Sequence, residues 1–107
     1  MSDTKTPPEL TGQEMFDRGM AIRRQVLGDA YGDKALARSG PFNEPLQELV
    51  TTYCWGWNWG REGLPLRDRS LINIAMIAIL NRSHELKIHI RGALNNGLTR
   101  EEIREVL

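Results

Sequence analysis

Every patterned stretch of this 107-residue chain repeats its apolar residues at three- and four-residue intervals, and no segment alternates apolar with polar. Such spacing lines one face of an α-helix, whereas a half-buried strand needs alternation, so the chain is restricted to an all-α fold. Met15, Gly19, Ile22 and Val26 follow Thr11 and Glu14, which have the spacing of a capping box, and Gly28 is a natural stop. Residues 33–39 have room for a short helix before Gly40 and Pro41. Asn43 is the expected N-cap of the next helix, with Pro45 in its first turn and Leu46, Leu49, Val50, Tyr53 and Trp57 as its apolar stripe. Residues 60–65 break the pattern. From 66 to 80 the chain is apolar almost all round, Asn73 excepted, which predicts a central buried helix. Ser83 is expected to cap the following helix, and Asn96 and Gly97 to end it in left-handed conformation. Thr99 and Glu102 repeat the capping-box spacing, and Ile103, Val106 and Leu107 then line a last helix with no closing cap. Another chain or a further segment is expected to cover that end.

The bulk properties exclude several classes of function. Residues 1–10 are polar, carry two prolines and read as a flexible leader, with no apolar stretch of the signal-peptide kind. Residues 11–107 are expected to form a single helical domain. Lys plus Arg and Asp plus Glu balance at 14 each, so no global field draws the chain to nucleic acid or an anionic membrane. The run 71–80 is too short to span a bilayer. Cys54 is the single cysteine, which rules out an intrachain disulfide and any two-cysteine chemistry within one subunit. His84 and His89 are the two histidines, too few for a zinc cluster, and no metal is expected. The expected compartment is the cytoplasm.

The segment Tyr53-Cys54-Trp55-Gly56-Trp57-Asn58-Trp59-Gly60-Arg61-Glu62-Gly63-Leu64 resembles the Y-x-W-G-x-x-W-x-R-x-G-L signature of the carboxymuconolactone decarboxylase family. Three further stretches are similar to that family in the same order: 23–30, 69–72 and 89–99. The resemblance runs from about residue 14 to the end. Members usually continue through one more helix, so the domain is expected to be short of a final helix. The related alkylhydroperoxidase D-type proteins carry Cys-x-x-Cys-x-x-x-His before the equivalent of His89. Here the two cysteine positions are Arg82 and Glu85, which cannot run thiolate attack and resolution. The resemblance implies a compact helical bundle of the alkylhydroperoxidase D-like type, assembled as a homo-oligomer, with a hexamer as its size.

The activity implied is that of a carboxy-lyase: cofactor-free decarboxylation of 4-carboxymuconolactone to 3-oxoadipate enol-lactone in protocatechuate catabolism. The small-molecule partner is then a lactone di-acid. Its leaving carboxylate is vinylogous to the lactone carbonyl, so the electrons released form a dienolate. The protein must hold a dianion, stabilise an oxyanion and protonate one carbon. Arg82, Glu85 and His89 share one helical face at i, i+3, i+7. Glu85 is expected to orient the His89 imidazole and raise its pKa, making His89 a general acid near neutral pH. The plainer account of the trio is a surface ion-pair group. Arg69 is the first candidate to grip a carboxylate, with Arg82 beside it and Arg67 and Arg91 behind. Trp55 and Trp59 share a face turned from Trp57, so they are assigned to a ligand pocket or an oligomer interface, and Trp57 to the core. Glu48, seven residues before Trp55, is a further acid or base on that face. Cys54 reads as a buried small hydrophobe.

Two rivals come from other classes. Residues 93–103 mimic a helix-turn-helix, yet the second helix opens with Glu101 and Glu102 where phosphates would lie. The other is a paralogue that binds a partner as an oligomeric helical module without turnover.

Overall fold

The structure is a computed structural model in which residues 11–31, 34, 38 and 40–107 are described. The leader 1–10 and most of the short helix expected over 33–39 lie outside the described residues. Among those described there is no strand, and the chain is all-helical. It divides into two compact units, Met1–Gly63 and Leu64–Leu107.

In the first unit, helix α1 (Gly12–Leu27) starts on the expected capping box. Thr11 Oγ1 accepts from the Glu14 amide at 3.0 Å, and Glu14 Oε1 accepts from the Thr11 amide at 3.2 Å. It stops at Gly28, whose φ of 93° suits a residue without a Cβ. The buried face consists of Met15, Gly19, Arg23, Val26 and Leu27, so an arginine occupies part of the apolar stripe and Ile22 is only half-buried.

Helix α2 (Glu44–Leu49) has Asn43 at its N-cap position, but the Asn43 Oδ1 accepts from the Gly40 amide at 2.7 Å, closing the preceding turn. The chain then continues directly into a π-helix, Val50–Asn58, whose end is marked by the Trp59 amide donating to the Cys54 carbonyl five residues back. A π turn is wider than an α turn, so the α-helical stripe expected here loses its register. Leu46, Leu49 and Tyr53 are exposed, and Thr51, Trp55 and Gly56 are buried instead. Cys54 is likewise exposed, not buried. Two glycines set the packing of α1 on the π-helix. A Cβ on Gly19 would strike the Thr51 carbonyl oxygen, and one on Gly56 would strike the Met15 carbonyl oxygen. The two backbones therefore run in direct contact.

In the second unit, α3 (Leu66–Ile79), α4 (Ser83–Asn95) and α5 (Arg100–Val106) enclose Ile74, Ala93, Leu98 and Ile103, with Leu71, Leu86, Ile90 and Val106 packed around them. The expectation that α3 is buried all round fails. Only Ser70 and Ile74 are buried, while Ile72, Met76, Ile79 and Leu80 are exposed. Ser83 is the first residue of α4 and not its cap, a position that falls to Arg82. The helix ends with Gly97 at φ 95° and the Leu98 amide reaching back to the Ala93 carbonyl at 3.0 Å, whereas Asn96, also expected to be left-handed, has φ −88°. Thr99 and Glu102 form the second capping box at 3.0 and 2.9 Å. Its spare carboxylate oxygen, Glu102 Oε2, pairs with Arg67 of α3. Asn96 Nδ2 donates to the buried Ser70 Oγ at 2.8 Å, which ties the end of α4 to α3.

Candidate active site

Within the second unit, α3 and α4 bring two polar side chains together. Asn73 Nδ2 stands 2.9 Å from His89 Nδ1. An amide nitrogen only donates, so with the carboxamide in this orientation Nδ1 accepts and the imidazole proton sits on Nε2. Burial pushes the His89 pKa below the ordinary histidine value, and the charge of Glu85 opposes this as the smaller effect. The expected upward shift is therefore reversed. The group is a neutral imidazole that donates from Nε2, suited to hydrogen-bonding a developing oxyanion. Glu85 lies one turn before His89 and is exposed. Arg82 is exposed at the N-cap.

Arg69 is half-buried, and its Nε donates to the Leu64 carbonyl at 3.2 Å. Arg67 is engaged with Glu102, whose pKa is held down first by the Thr99 backbone amide and then by Arg67. Trp55 and Trp59 meet as their spacing implies, with ring centroids 4.8 Å apart. Yet Trp55 is buried, while half-buried Trp57 carries the Arg61 guanidinium 4.2 Å over its ring. The core residue of this cluster is therefore Trp55 and not Trp57. Glu48 is exposed and does not share the buried face of Trp55, because the π-helix begins between them.

Glu48 instead lines a cavity of about 660 Å³ in the first unit, with Phe16, Gln47 and Thr52 among its walls. Under Gln47 lies Arg23, 6% exposed. Its Nη1 donates to Gln47 Oε1 at 3.0 Å and to Thr51 Oγ1 at 3.1 Å. Arg23 Nε has no partner, and burial lowers the guanidinium pKa. Among the described residues no three of His, Cys, Asp and Glu gather as a metal-binding group, and no helix is long and apolar enough to cross a membrane.

A model of the carboxymuconolactone decarboxylase family matches residues 44–107, which include α2, the π-helix and all of the second unit. The chain belongs to the carboxymuconolactone decarboxylase family. Its similarity to individual carboxymuconolactone decarboxylase relatives extends further. It is 43% identical over its full length to nitrosuccinic acid decarboxylase of Metarhizium robertsii, covering 74% of that protein. It is 34% identical over 98 residues to 4-carboxymuconolactone decarboxylase of Acinetobacter baylyi, covering 92% of this chain and 73% of the relative. A 44-residue match to the Pseudomonas putida enzyme of the same name is 41% identical. These relatives are decarboxylases, and carboxy-lyase is the activity class of the chain.

Asn73, Arg23 and Gln47 were not among the sequence candidates. Two of them left a signal. Asn73 is the polar residue inside the most apolar run, and Arg23 falls four residues after Gly19 on the stripe of α1. Gln47 left none.

Proposed function

We propose that this chain removes one carboxylate, as carbon dioxide, from a small di-acid whose scissile carbon is attached, directly or through a double bond, to an electron-accepting group. The carbon–carboxylate bond breaks, its electron pair moves onto an acceptor oxygen, and a proton then adds to carbon. His89 Nε2–H is the proposed donor to that oxygen, with Asn73 holding the tautomer and Glu85 tuning the ring. Arg69 is a proposed contact for one substrate carboxylate, and water the proton source. No cofactor is required, because the substrate carries its own electron sink.

The observation that carries this reading is the 43% identity over the entire chain to a nitrosuccinic acid decarboxylase. A nitrosuccinate-type acid is thus the first substrate to test, since loss of the carboxylate beside the nitro group leaves a nitronate. The second reading, 4-carboxymuconolactone to its enol-lactone, is favoured by the Tyr53–Leu64 signature and the 34% identity to the Acinetobacter baylyi enzyme. Both acids should be offered to the purified chain while carbon dioxide release is followed. A higher kcat/KM for nitrosuccinate supports the first, a higher value for 4-carboxymuconolactone supports the second, and turnover of neither sinks the reading.

We also propose a homo-oligomer, with a hexamer as its size. The exposed Ile72, Met76, Ile79 and Leu80 support it, because water-facing apolar side chains on one helix favour association. A stable monomer by light scattering at micromolar concentration would overturn it.

A further inference from the structure

Among the described residues Arg23 is a buried cation with no carboxylate partner. Both of its acceptors, Gln47 Oε1 and Thr51 Oγ1, are neutral, its Nε is unpartnered, and among the described residues no carboxylate pairs with it. A buried charge left in this state is costly, and an anion within reach relieves the cost. Gln47 links Arg23 to the cavity it lines. With Oε1 held by Arg23, the amide nitrogen Nε2 is the end of the carboxamide left to the cavity, so Gln47 offers donors there and no acceptor. A carboxamide whose oxygen already accepts from a guanidinium is a strengthened donor through its nitrogen.

Glu44 and Glu48 also line this cavity, and they bear on what it accepts. Both are exposed, so water screens them, whereas Gln47 and Thr52 are half-buried and Arg23 lies deeper. A charge in the low-dielectric interior acts over longer range than one facing solvent. The exposed Glu44 and Glu48 are thus more strongly screened than the guanidinium held behind Gln47, which favours an anionic group against the Gln47 amide.

We propose that Gln47 binds a carboxylate of a di-acid in this first-unit cavity, donating from Nε2, and that Arg23 is its positioning residue. The proposal rests on the decarboxylase reading for the class of acid, and adds to it a carboxylate-binding residue in the cavity of the first unit. A lost hydrogen bond to a charged group corresponds to roughly tenfold or more in binding.

The test uses succinate, a di-acid with no electron sink, alongside turnover of nitrosuccinate and 4-carboxymuconolactone. In calorimetry Gln47→Leu should weaken succinate binding about tenfold or more, and in kinetics it should raise KM with kcat little changed. Gln47→Glu should raise the melting temperature, because it supplies Arg23 with a carboxylate, and should abolish succinate binding. Arg23→Met should weaken succinate as Gln47→Leu does. If it does not fold, the two Gln47 variants carry the test alone. Gln47-dependent succinate binding in a chain that turns over neither acid supports the pair and fails the decarboxylase reading. Succinate binding at wild-type strength in folded Gln47→Leu, or no succinate binding by the wild-type chain, overturns the proposal.

Discussion

Asn73 on α3 lies 2.9 Å from the Nδ1 of His89 on α4. The contact leaves the proton on Nε2, so His89 meets a ligand as a neutral donor. In the proposed reaction a donor of this kind suits the acceptor oxygen better than delivery of a proton to carbon.

Two measurements follow for His89. His89→Ala should lower kcat by about 10²-fold, the loss typical of one oxyanion donor. The folded pKa is depressed by burial, so the stability contributed by the neutral ring is complete above the ordinary value of 6.5. It is lost as pH falls from there through the folded pKa. Melting temperatures of wild type and His89→Gln should therefore diverge over that window, with the variant less sensitive to acid. Glu85→Gln should lower the His89 pKa further, read by imidazole titration in NMR. An unchanged or raised value would contradict the charge assigned to Glu85.

The tryptophans should separate sharply in stability. Trp55→Ala removes a buried ring and should cost about 3–5 kcal/mol. Trp57→Ala removes a half-buried ring and its contact with the exposed Arg61 guanidinium, the latter worth about 0.5–1 kcal/mol, and should cost less than Trp55→Ala. Urea melts of the two variants test the order, and equal losses would refute it.

Gly19→Ala and Gly56→Ala should each destabilise by about 2 kcal/mol or more, because the added methyl meets backbone and not a yielding side chain. Gly12→Ala is the control, since a Cβ there meets nothing within 4 Å. Denaturant midpoints should fall for the first two and hold for the third.

At the start of α5, Thr99→Ala should cost about 1 kcal/mol through loss of the cap. Glu102 has a depressed pKa, so its contribution is present above the ordinary 4.5 and disappears as pH falls through the folded value. Its acid window opens below 4.5, whereas that of His89 opens below 6.5. A melt series in Glu102→Gln should flatten only the lower limb.

What the sequence disclosed was local. Thr11 with Glu14, Thr99 with Glu102, and Gly97 are determined by neighbours within one turn, and each stands where its spacing indicates. The Trp55–Trp59 contact is of the same kind. Errors came where a face had to be inferred at a distance. Periodicity at 3.6 residues cannot reveal the wider turn at Val50–Asn58, so Trp57 and Cys54 were given the interior that belongs to Trp55 and Gly56. Continuous apolarity over 66–80 states what a helix avoids, not what covers it. In the candidate site, the one-turn spacing of Glu85 and His89 was legible and the family resemblance singled out His89, whereas the Asn73 contact depends on how α3 meets α4. The net direction of the His89 pKa required a burial that spacing does not report.

The π-helix also bears on insertions and deletions. A π turn carries more residues than an α turn, so losing one residue from Val50–Asn58 can be absorbed by a local return to α pairing. The same loss inside α1 would rotate everything beyond it by about 100°. When related chains are aligned, a one-residue gap in this stretch is therefore the mildest place to put one. It would still exchange which indole faces inward, so the number of residues between Leu49 and Gly60 is itself a determinant of the aromatic core.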